Sequence, residues 1–414
     1  MTSLREVVVT GLGATTPLGG DVASTWAAAL AGQSGARTLD NDWAERYELP
    51  VTFAAQIAVK PQDVLARPEI KRMDPSTQYA MIAAREAWAD AGSPEIDGDR
   101  LGAVVSSGIG GIWTTLEGWD TLKERGARRM LPMTVPMLMP NSPAAYVSLE
   151  LGARAGAHAL VSACASGAEA IAYGVEMIRN GRADVVVAGG TEAAIHPMPI
   201  AAFAASRTLS TRNDDPAGAS RPYDVDRDGF VIGEGAGMVV LESAAHAAAR
   251  GARVYARIGG LGLSADGYHI TSPEPSGDGQ VRAMRAALAD SGVAASDVAH
   301  VNAHATSTVV GDLIEARSIR AVLGGDADHA VLSATKSMTG HLLGGAGALE
   351  TIFTVMAVRD RMAPPTINVA NPDPDLVLDL VRDTPRALPA GPVAAINNSF
   401  GFGGHNVALV VTSV

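Results

Sequence analysis

The sequence has a single cysteine, Cys164, in 414 residues. That excludes an internal disulfide and a multi-cysteine metal site. Aromatic residues make up only 4% of the chain, so a composition that is 47% hydrophobic must build its core mainly from Ala, Val, Leu and Ile, with 45 glycines allowing close backbone approach. Positive charge is the minority sign. The 32 Lys and Arg stand against 44 Asp and Glu for a formal net charge of -12, which opposes general binding to nucleic acid or an anionic membrane. No segment has the continuous apolar length of a membrane span. The opening MTSLREVVVTGLGATTPLGG has too short an apolar run, and glycine too early, for a secretory signal. These features predict a soluble cytoplasmic protein with no nucleic-acid or membrane partner; an acidic partner would need a local basic patch.

What is present is an alternation. REVVVTGLGA, LGAVVSSGIGG, HALVSACAS and ADVVVAGGTEA read as buried strands, each ending in small residues. TWAAALAG, YAMIAAREAWADAG and GAEAIAYGVEMIRNG between them read as helices; in the last, Ile171, Val175 and Ile178 share one face before Gly181 stops it. The pattern resumes near RVYARIGGLGLSADG and continues through AHVNAHATS, HAVLSATKS and VAAINNSFGFGGHNVALVV. Strands alternating with helices predict an α/β fold with crossover connections.

One phrase occurs twice. HALVSACAS (158–166) and HAVLSATKS (329–337) are identical at five of nine positions. Their shared strand-turn-helix context points to a duplicated fold, with an N-terminal half over 1–252 and a C-terminal half over 253–414 in one compact body. A pseudo-two-fold axis between the halves would make Cys164 and Lys336 neighbours.

A free cysteine is ordinarily a small buried hydrophobe. Cys164, however, follows a strand and opens a helix, where unpaired N–H groups and the helix dipole favour a thiolate. Two histidines lie at ends of core elements: His304 in VNAHATST and His341 in TKSMTGHLLGGAG. His158, His246, His300 and His329 read as edge or surface residues, and His196 and His269 fit either role. Lys336 is costly to bury alone, and Asp312 and Glu315 in VVGDLIEA are the expected counter-charges, unless they belong to a solvated helix face. The loop NNSFGFGGHN (397–406) offers backbone N–H groups to an anion, either as an oxyanion site or for phosphate. No Lys-Ser/Thr follows it, which argues against a P-loop.

Taken together, SACASG, NAHATST, TKSMTGH and NSFGFGGHN resemble the elongating β-ketoacyl-acyl-carrier-protein synthases, and most of all the KAS II type of bacterial type II fatty acid synthesis. VVVTGLGATTPLG, VVVAGGTEA, SRPYDVDRDGFVIGEGAG and APPTINV extend the resemblance over essentially the whole chain. It implies a thiolase fold, two αβαβα halves each with a five-stranded sheet, and a homodimer. It also implies that Cys164 accepts the acyl chain, that His304 and His341 assist decarboxylation of malonyl-carrier, and that Lys336 organises the site with Glu315 as partner. The N–H groups of Cys164 and Phe400 would form the oxyanion hole, and Phe400 would also gate acyl entry. Thr306 and Thr308 would hold the pantetheine arm, with Ile109 lining the acyl pocket and Phe402 contributing to substrate binding. One departure is HATST, where HGTST is commoner; Ala305 adds a methyl group with a small expected effect on local backbone freedom and none on the reaction class.

The resemblance implies no required cofactor. A monovalent cation, Na or K, at Asn302, Ala303, Glu350, Asn397 and Asn398 is an expectation from some relatives. The implied partner, acyl carrier protein, is acidic. Arg67, Lys71 and Arg72 in ARPEIKR, with Lys123, Arg125, Arg128 and Arg129 in LKERGARR, are the expected docking patch, though solvated helix faces explain such clusters equally well. A thiolase would need a second cysteine, and an initiating or plant-polyketide synthase would have Asn at position 341. The remaining alternatives are a ketosynthase subunit of a type II polyketide synthase and a non-catalytic chain-length partner, which would lack Cys164.

Overall fold

A computed structural model describes residues 5–414. Eleven strands form one continuous sheet: β1 (Val7–Thr15), β2 (Leu101–Ser106), β3 (Gly156–His158), β4 (Val185–Glu192), β5 (Gly235–Ser243), β6 (Ala256–Ala265), β7 (Val298–Asn302), β8 (Val331–Ser333), β9 (Asp379–Leu380), β10 (Ala394–Gly401) and β11 (His405–Thr412). Their spatial order is β9-β8-β7-β10-β11-β6-β1-β5-β4-β2-β3.

That order contains the duplication. Outward from the centre, the first half reads β1-β5-β4-β2-β3 and the second β6-β11-β10-β7-β8, with the small strand β9 added at the edge. Directions match as well: β2 is parallel to both neighbours and β5 antiparallel to both, as β7 and β11 are in the second half. The halves join where β1 pairs antiparallel with β6 through Val8–Arg257 and Val9–Ala256. The two five-stranded sheets implied by resemblance are therefore fused edge to edge.

Packing repeats too. Helix α1 (Val22–Leu30) is capped by Asp21, and α2 (Pro75–Asp90) lies on β1, where a Cβ on Gly11 or Gly13 would sit 2.2 and 2.0 Å from the carbonyl oxygens of Ala87 and Ala83. Other named helices are α3 (Ile112–Arg125), α4 (Ser166–Arg179), α5 (Pro197–Ala205), α6 (Asp278–Ser291), α7 (Gly311–Leu323) and α8 (Ala346–Asp360). Helix α6 lies on β6 in the same way: Cβ atoms on Gly260 and Gly262 would meet the Ala287 and Ala283 carbonyls at 2.1 and 1.8 Å. Gly-Leu-Gly is thus a second repeated phrase, read by a helix backbone that leaves no room for a side chain.

Between the two half-sheets, α4 and α8 pack against each other in the largest core cluster. Ile171, Val175 and Ile178 are fully buried there as predicted, each contributing about 1.5–3 kcal/mol by burial. Among the described residues no helix is long and apolar enough to cross a membrane.

Two expectations need correction, and one strand was missed. HALVSACAS is not a strand, because β3 ends at His158 and the rest forms the turn into α4. β5 was not anticipated; its glycine-rich start, GEGAG, hides a fully buried central strand. His300 is a core residue on β7, hydrogen-bonded through Nε2 to Ser333 Oγ at 3.0 Å, because β7 is covered on both sides.

Candidate active site

Both turns after the third strands face the centre. Cys164 lies in a 3-10 turn, Ala163–Ala165, immediately before α4, and is half-buried. Ser166 pins this turn: its hydroxyl accepts from Ser162 N–H at 2.9 Å and donates to Ala163 O at 2.7 Å. Ala163 has φ +50°, a left-handed conformation costly for a non-glycine residue, which places the following cysteine at the cavity wall.

The second half supplies the imidazoles. His304 follows β7 and His341 precedes α8; their ring centroids are 5.5 Å apart, nearly perpendicular. The backbone of His341 is tied to the first half, its N–H donating to Val231 O at 2.8 Å and its carbonyl accepting from Gly233 N–H at 2.9 Å. The ring packs edge-on against Phe230 at 5.4 Å, and neither ring nitrogen has a protein partner among the described residues. Burial and the charge of Lys336 hold both imidazoles well below their ordinary pKa, so both are neutral.

Lys336 is buried, and its carboxylate partner is Glu350 on α8. This corrects the expectation of Glu315. Glu315 instead accepts from the N–H groups of His304 and Ala305, each at 2.8 Å, and from Asn398 Nδ2 at 3.1 Å, so it fixes the histidine backbone. Asp312 likewise accepts from Tyr223 and Thr308 N–H at 3.1 and 3.2 Å, with the Arg227 guanidinium 3.7 Å away. Both carboxylates are buried, which removes the solvated-face reading.

The thiol is not a resting thiolate. Burial pushes the Cys164 pKa up to about 12; the Lys336 charge opposes this, Glu192 adds to it, and N–H bonds from Phe402 and from Cys164 itself lower it. The turn therefore favours the anion less than burial disfavours it. The loop N–H that acts on the sulfur is that of Phe402, where Phe400 was expected. Phe400 lies inside the β10–β11 ladder opposite Asn406, and its ring packs on His304 at 5.7 Å. Phe402 lies past the end of β10, in the turn carrying Gly403 and Gly404 at positive φ.

A cavity of about 590 Å³ unites these groups. Cys164, His304, His341, Thr306, Thr308, Ile109, Phe400, Phe402, Asp312 and Glu315 line it, while Lys336 stands behind His304. The Thr306 and Thr308 hydroxyls are 3.1 Å apart. A second cavity of about 340 Å³, lined by Ile109, Ile112, Met198, Pro199, Ala202, Phe203 and Phe402 among others, adjoins it. Phe203 and Phe230 were missed in the sequence, where nothing marks an aromatic ring as cavity-facing. Arg67, Lys71, Arg72, Lys123, Arg125, Arg128 and Arg129 are all exposed and none lines either cavity. Lys123 is paired with Asp120 at 2.8 Å.

Among the proposed cation ligands, Asn302 Nδ2 donates to Asn397 Oδ1 at 3.2 Å, while Glu350 Oε2 and Asn398 Oδ1 are buried without a protein partner. Unpaired oxygens, one of them on a carboxylate, fit a hard monovalent cation. Among the described residues no group of three or more His, Cys, Asp or Glu is placed to hold a metal ion.

A cysteine facing two neutral imidazoles, on two fused copies of one half-sheet, defines a thiolase-fold condensing enzyme. The chain belongs to the β-ketoacyl synthase family: the family's N-terminal domain matches residues 4–247 and its C-terminal domain residues 255–370. It is 46% identical over 404 residues, 97% of this chain and 96% of the relative, to 3-oxoacyl-[acyl-carrier-protein] synthase 2 of Mycobacterium tuberculosis. Its identity to the Staphylococcus aureus protein of the same name is 45% over 413 residues, 99% of each. Among solved structures, a β-ketoacyl synthase from Burkholderia phymatum aligns with TM-score 0.90 at 35% identity, covering 99% of this chain and 100% of that one. A complex of a type II polyketide synthase acyl-carrier protein with its ketosynthase aligns with TM-score 0.92 at 32% identity, covering both chains fully.

Proposed function

We propose that this chain elongates fatty acids by two carbons, condensing malonyl-acyl carrier protein with an acyl chain held on Cys164. The observation that carries the reading is the meeting of one cysteine with two neutral imidazoles in a cavity with apolar walls. Identities of 45–46% to 3-oxoacyl-[acyl-carrier-protein] synthases 2, against 32% to the polyketide complex, favour the fatty acid pathway over the polyketide one. The presence of Cys164 speaks against a non-catalytic partner.

In the first step the Cys164 thiol loses its proton, its sulfur attacks the acyl-carrier thioester, and the carrier thiol leaves with a proton. Malonyl-carrier then enters. Its carbon–carboxylate bond breaks, carbon dioxide departs, and the electron pair forms an enolate. The Lys336 ammonium lies 3.4 Å from His304 Nδ1, so Nδ1 is the acceptor and Nε2 carries the proton. That Nε2–H and the unpartnered ring of His341 are donors for the enolate oxygen. The enolate carbon attacks the Cys164 thioester, the N–H groups of Phe402 and Cys164 receive the oxyanion, and collapse of the intermediate expels the sulfur.

Thr306 and Thr308 hold the pantetheine arm, and the seven exposed cations dock the acidic carrier. The protein works as a cytoplasmic homodimer. It needs no cofactor for the chemistry; Asn302, Ala303, Glu350, Asn397 and Asn398 would hold a monovalent cation, with the unpartnered Glu350 Oε2 and Asn398 Oδ1 as its ligands.

Intact mass tests the reading. Mixed with a long-chain acyl-carrier, the wild type gains the acyl mass and Cys164→Ala does not. No gain on either, with the carrier still bound, overturns the assignment and favours a non-catalytic partner.

A further inference from the structure

Glu192 ends β4 with its side chain fully buried, yet no step of the condensation uses it. Its carboxylate gathers four hydrogen bonds from two separate segments. Oε1 accepts from Ser107 Oγ at 2.7 Å and Ile109 N–H at 3.3 Å. Oε2 accepts from Gly108 N–H at 2.8 Å and Gly344 N–H at 3.0 Å. The Ser107 hydroxyl in turn accepts from Gly110 N–H at 2.8 Å, so the whole turn after β2 hangs on this one carboxylate.

The two segments belong to different jobs. The turn 107–110 carries Ile109, which lines both cavities and so forms the shared wall between Cys164 and the apolar chamber. Gly344 is three residues beyond His341. The segments touch so closely that a Cβ on Gly344 would lie 2.2 Å from Gly108 N. All four donors are neutral, and each N–H would be left unsatisfied in the interior if the acceptor were lost.

We infer that Glu192 is a positioning residue that clasps the Ile109 wall of the acyl chamber to the His341 loop, so that acyl-chain selection and malonyl decarboxylation share one support. This rests on the condensing function proposed above. A carboxylate suits the place because the site presents only donors; a glutamine would turn an NH₂ group toward one pair of them and release that segment. Displacing a wall or a histidine by even an ångström is enough to change rates strongly.

Glu192→Gln and Ser107→Ala test this together. Two readouts are followed: the rates of Cys164 acylation by short, medium and long acyl-carriers, taken by intact mass, and carbon dioxide release from malonyl-carrier. Glu192→Gln should flatten the chain-length profile and slow carbon dioxide release by about tenfold. Ser107→Ala, which loosens only the turn side, should shift the profile and leave carbon dioxide release within about twofold of wild type. A folded Glu192→Gln protein with wild-type profile and release overturns the inference. So does a wild-type profile in Ser107→Ala if Glu192→Gln does not fold. A wild type that is never acylated overturns the condensing function itself, and this inference with it.

Discussion

Lys336 and His304 form the electrostatic floor of the site: the buried ammonium donates to the His304 carbonyl at 2.5 Å and sits 3.4 Å from the same residue's Nδ1. One cation thereby fixes the backbone, the tautomer and the neutrality of an imidazole whose other nitrogen faces the cavity. Its own counter-charge, Glu350, comes from a different helix and has one oxygen unpartnered.

Breaking that pair should separate stability from catalysis. Lys336→Met leaves Glu350 buried without its ammonium partner, at a cost of about 3–5 kcal/mol. Lys336→Met with Glu350→Gln should recover most of that loss, because no unpaired charge remains. Neither protein regains the fixed tautomer, so both should release carbon dioxide from malonyl-carrier about a hundredfold more slowly than wild type. Urea midpoints and carbon dioxide release on the two variants decide the matter; a double variant with wild-type release would show that the cation does not organise His304.

The acid limb of stability should belong partly to His300. Burial holds its pKa down to about 3, against about 6.5 for an unfolded histidine. Below about pH 6.5 the unfolded chain takes up a proton that the native state refuses, so stability falls as pH drops from there toward 3, by several kcal/mol in all. His300→Asn removes the proton uptake and can keep a bond to Ser333. Its stability should fall less than that of wild type between pH 7 and pH 5, read as urea midpoints; parallel losses would contradict the assignment.

Ala305 is strained where the family pattern has glycine. Its φ is +21°, in the left-handed region that alanine enters at a cost, and its N–H is clamped by Glu315. Ala305→Gly trades about 1–2 kcal/mol of strain against about 0.5–1 kcal/mol of added chain entropy. A net gain of about 0.5 kcal/mol in thermal or urea unfolding is expected, with the acylation rate unchanged; destabilisation would mean that the turn holds no such strain.

Where the sequence was legible, local pattern and tertiary structure agreed. The buried stripe of α4 obeys helical spacing, and the turns that end the two repeated phrases follow β3 and β8, which occupy matching places in the two half-sheets. Legibility ended where the answer depended on an orientation set by distant partners. Glu315 and Glu350 are both buried glutamates near Lys336, and only the packing of α8 brings Glu350 to its ammonium. Phe400 and Phe402 lie two residues apart in one glycine-rich stretch; the end of the β10–β11 ladder decides which N–H reaches Cys164. His300 looked peripheral because a single polar residue in VAHVN says nothing about whether the strand is central. Glu192 was hidden inside a strand motif, and its meaning depends on two loops that are remote in sequence.

Gly401 tests Phe402 as the proposed oxyanion donor. A Cβ there would lie 2.3 Å from Ser162 O and 3.2 Å from Cys164 N, so the backbone can approach the nucleophile only without a side chain. Gly401→Ala must push the following residue outward, carrying Phe402 N–H away from the sulfur while the Cys164 turn keeps its Ser166 bonds. Losing one preorganised donor costs about a hundredfold to a thousandfold in the condensation rate. Alkylation of Cys164 by iodoacetamide forms no oxyanion; it loses only the help the Phe402 N–H gives the thiolate, and should slow by less than about tenfold because the Lys336 charge remains. Condensation lost with alkylation kept supports Phe402 as the donor; a condensation rate near wild type would return that role to another group.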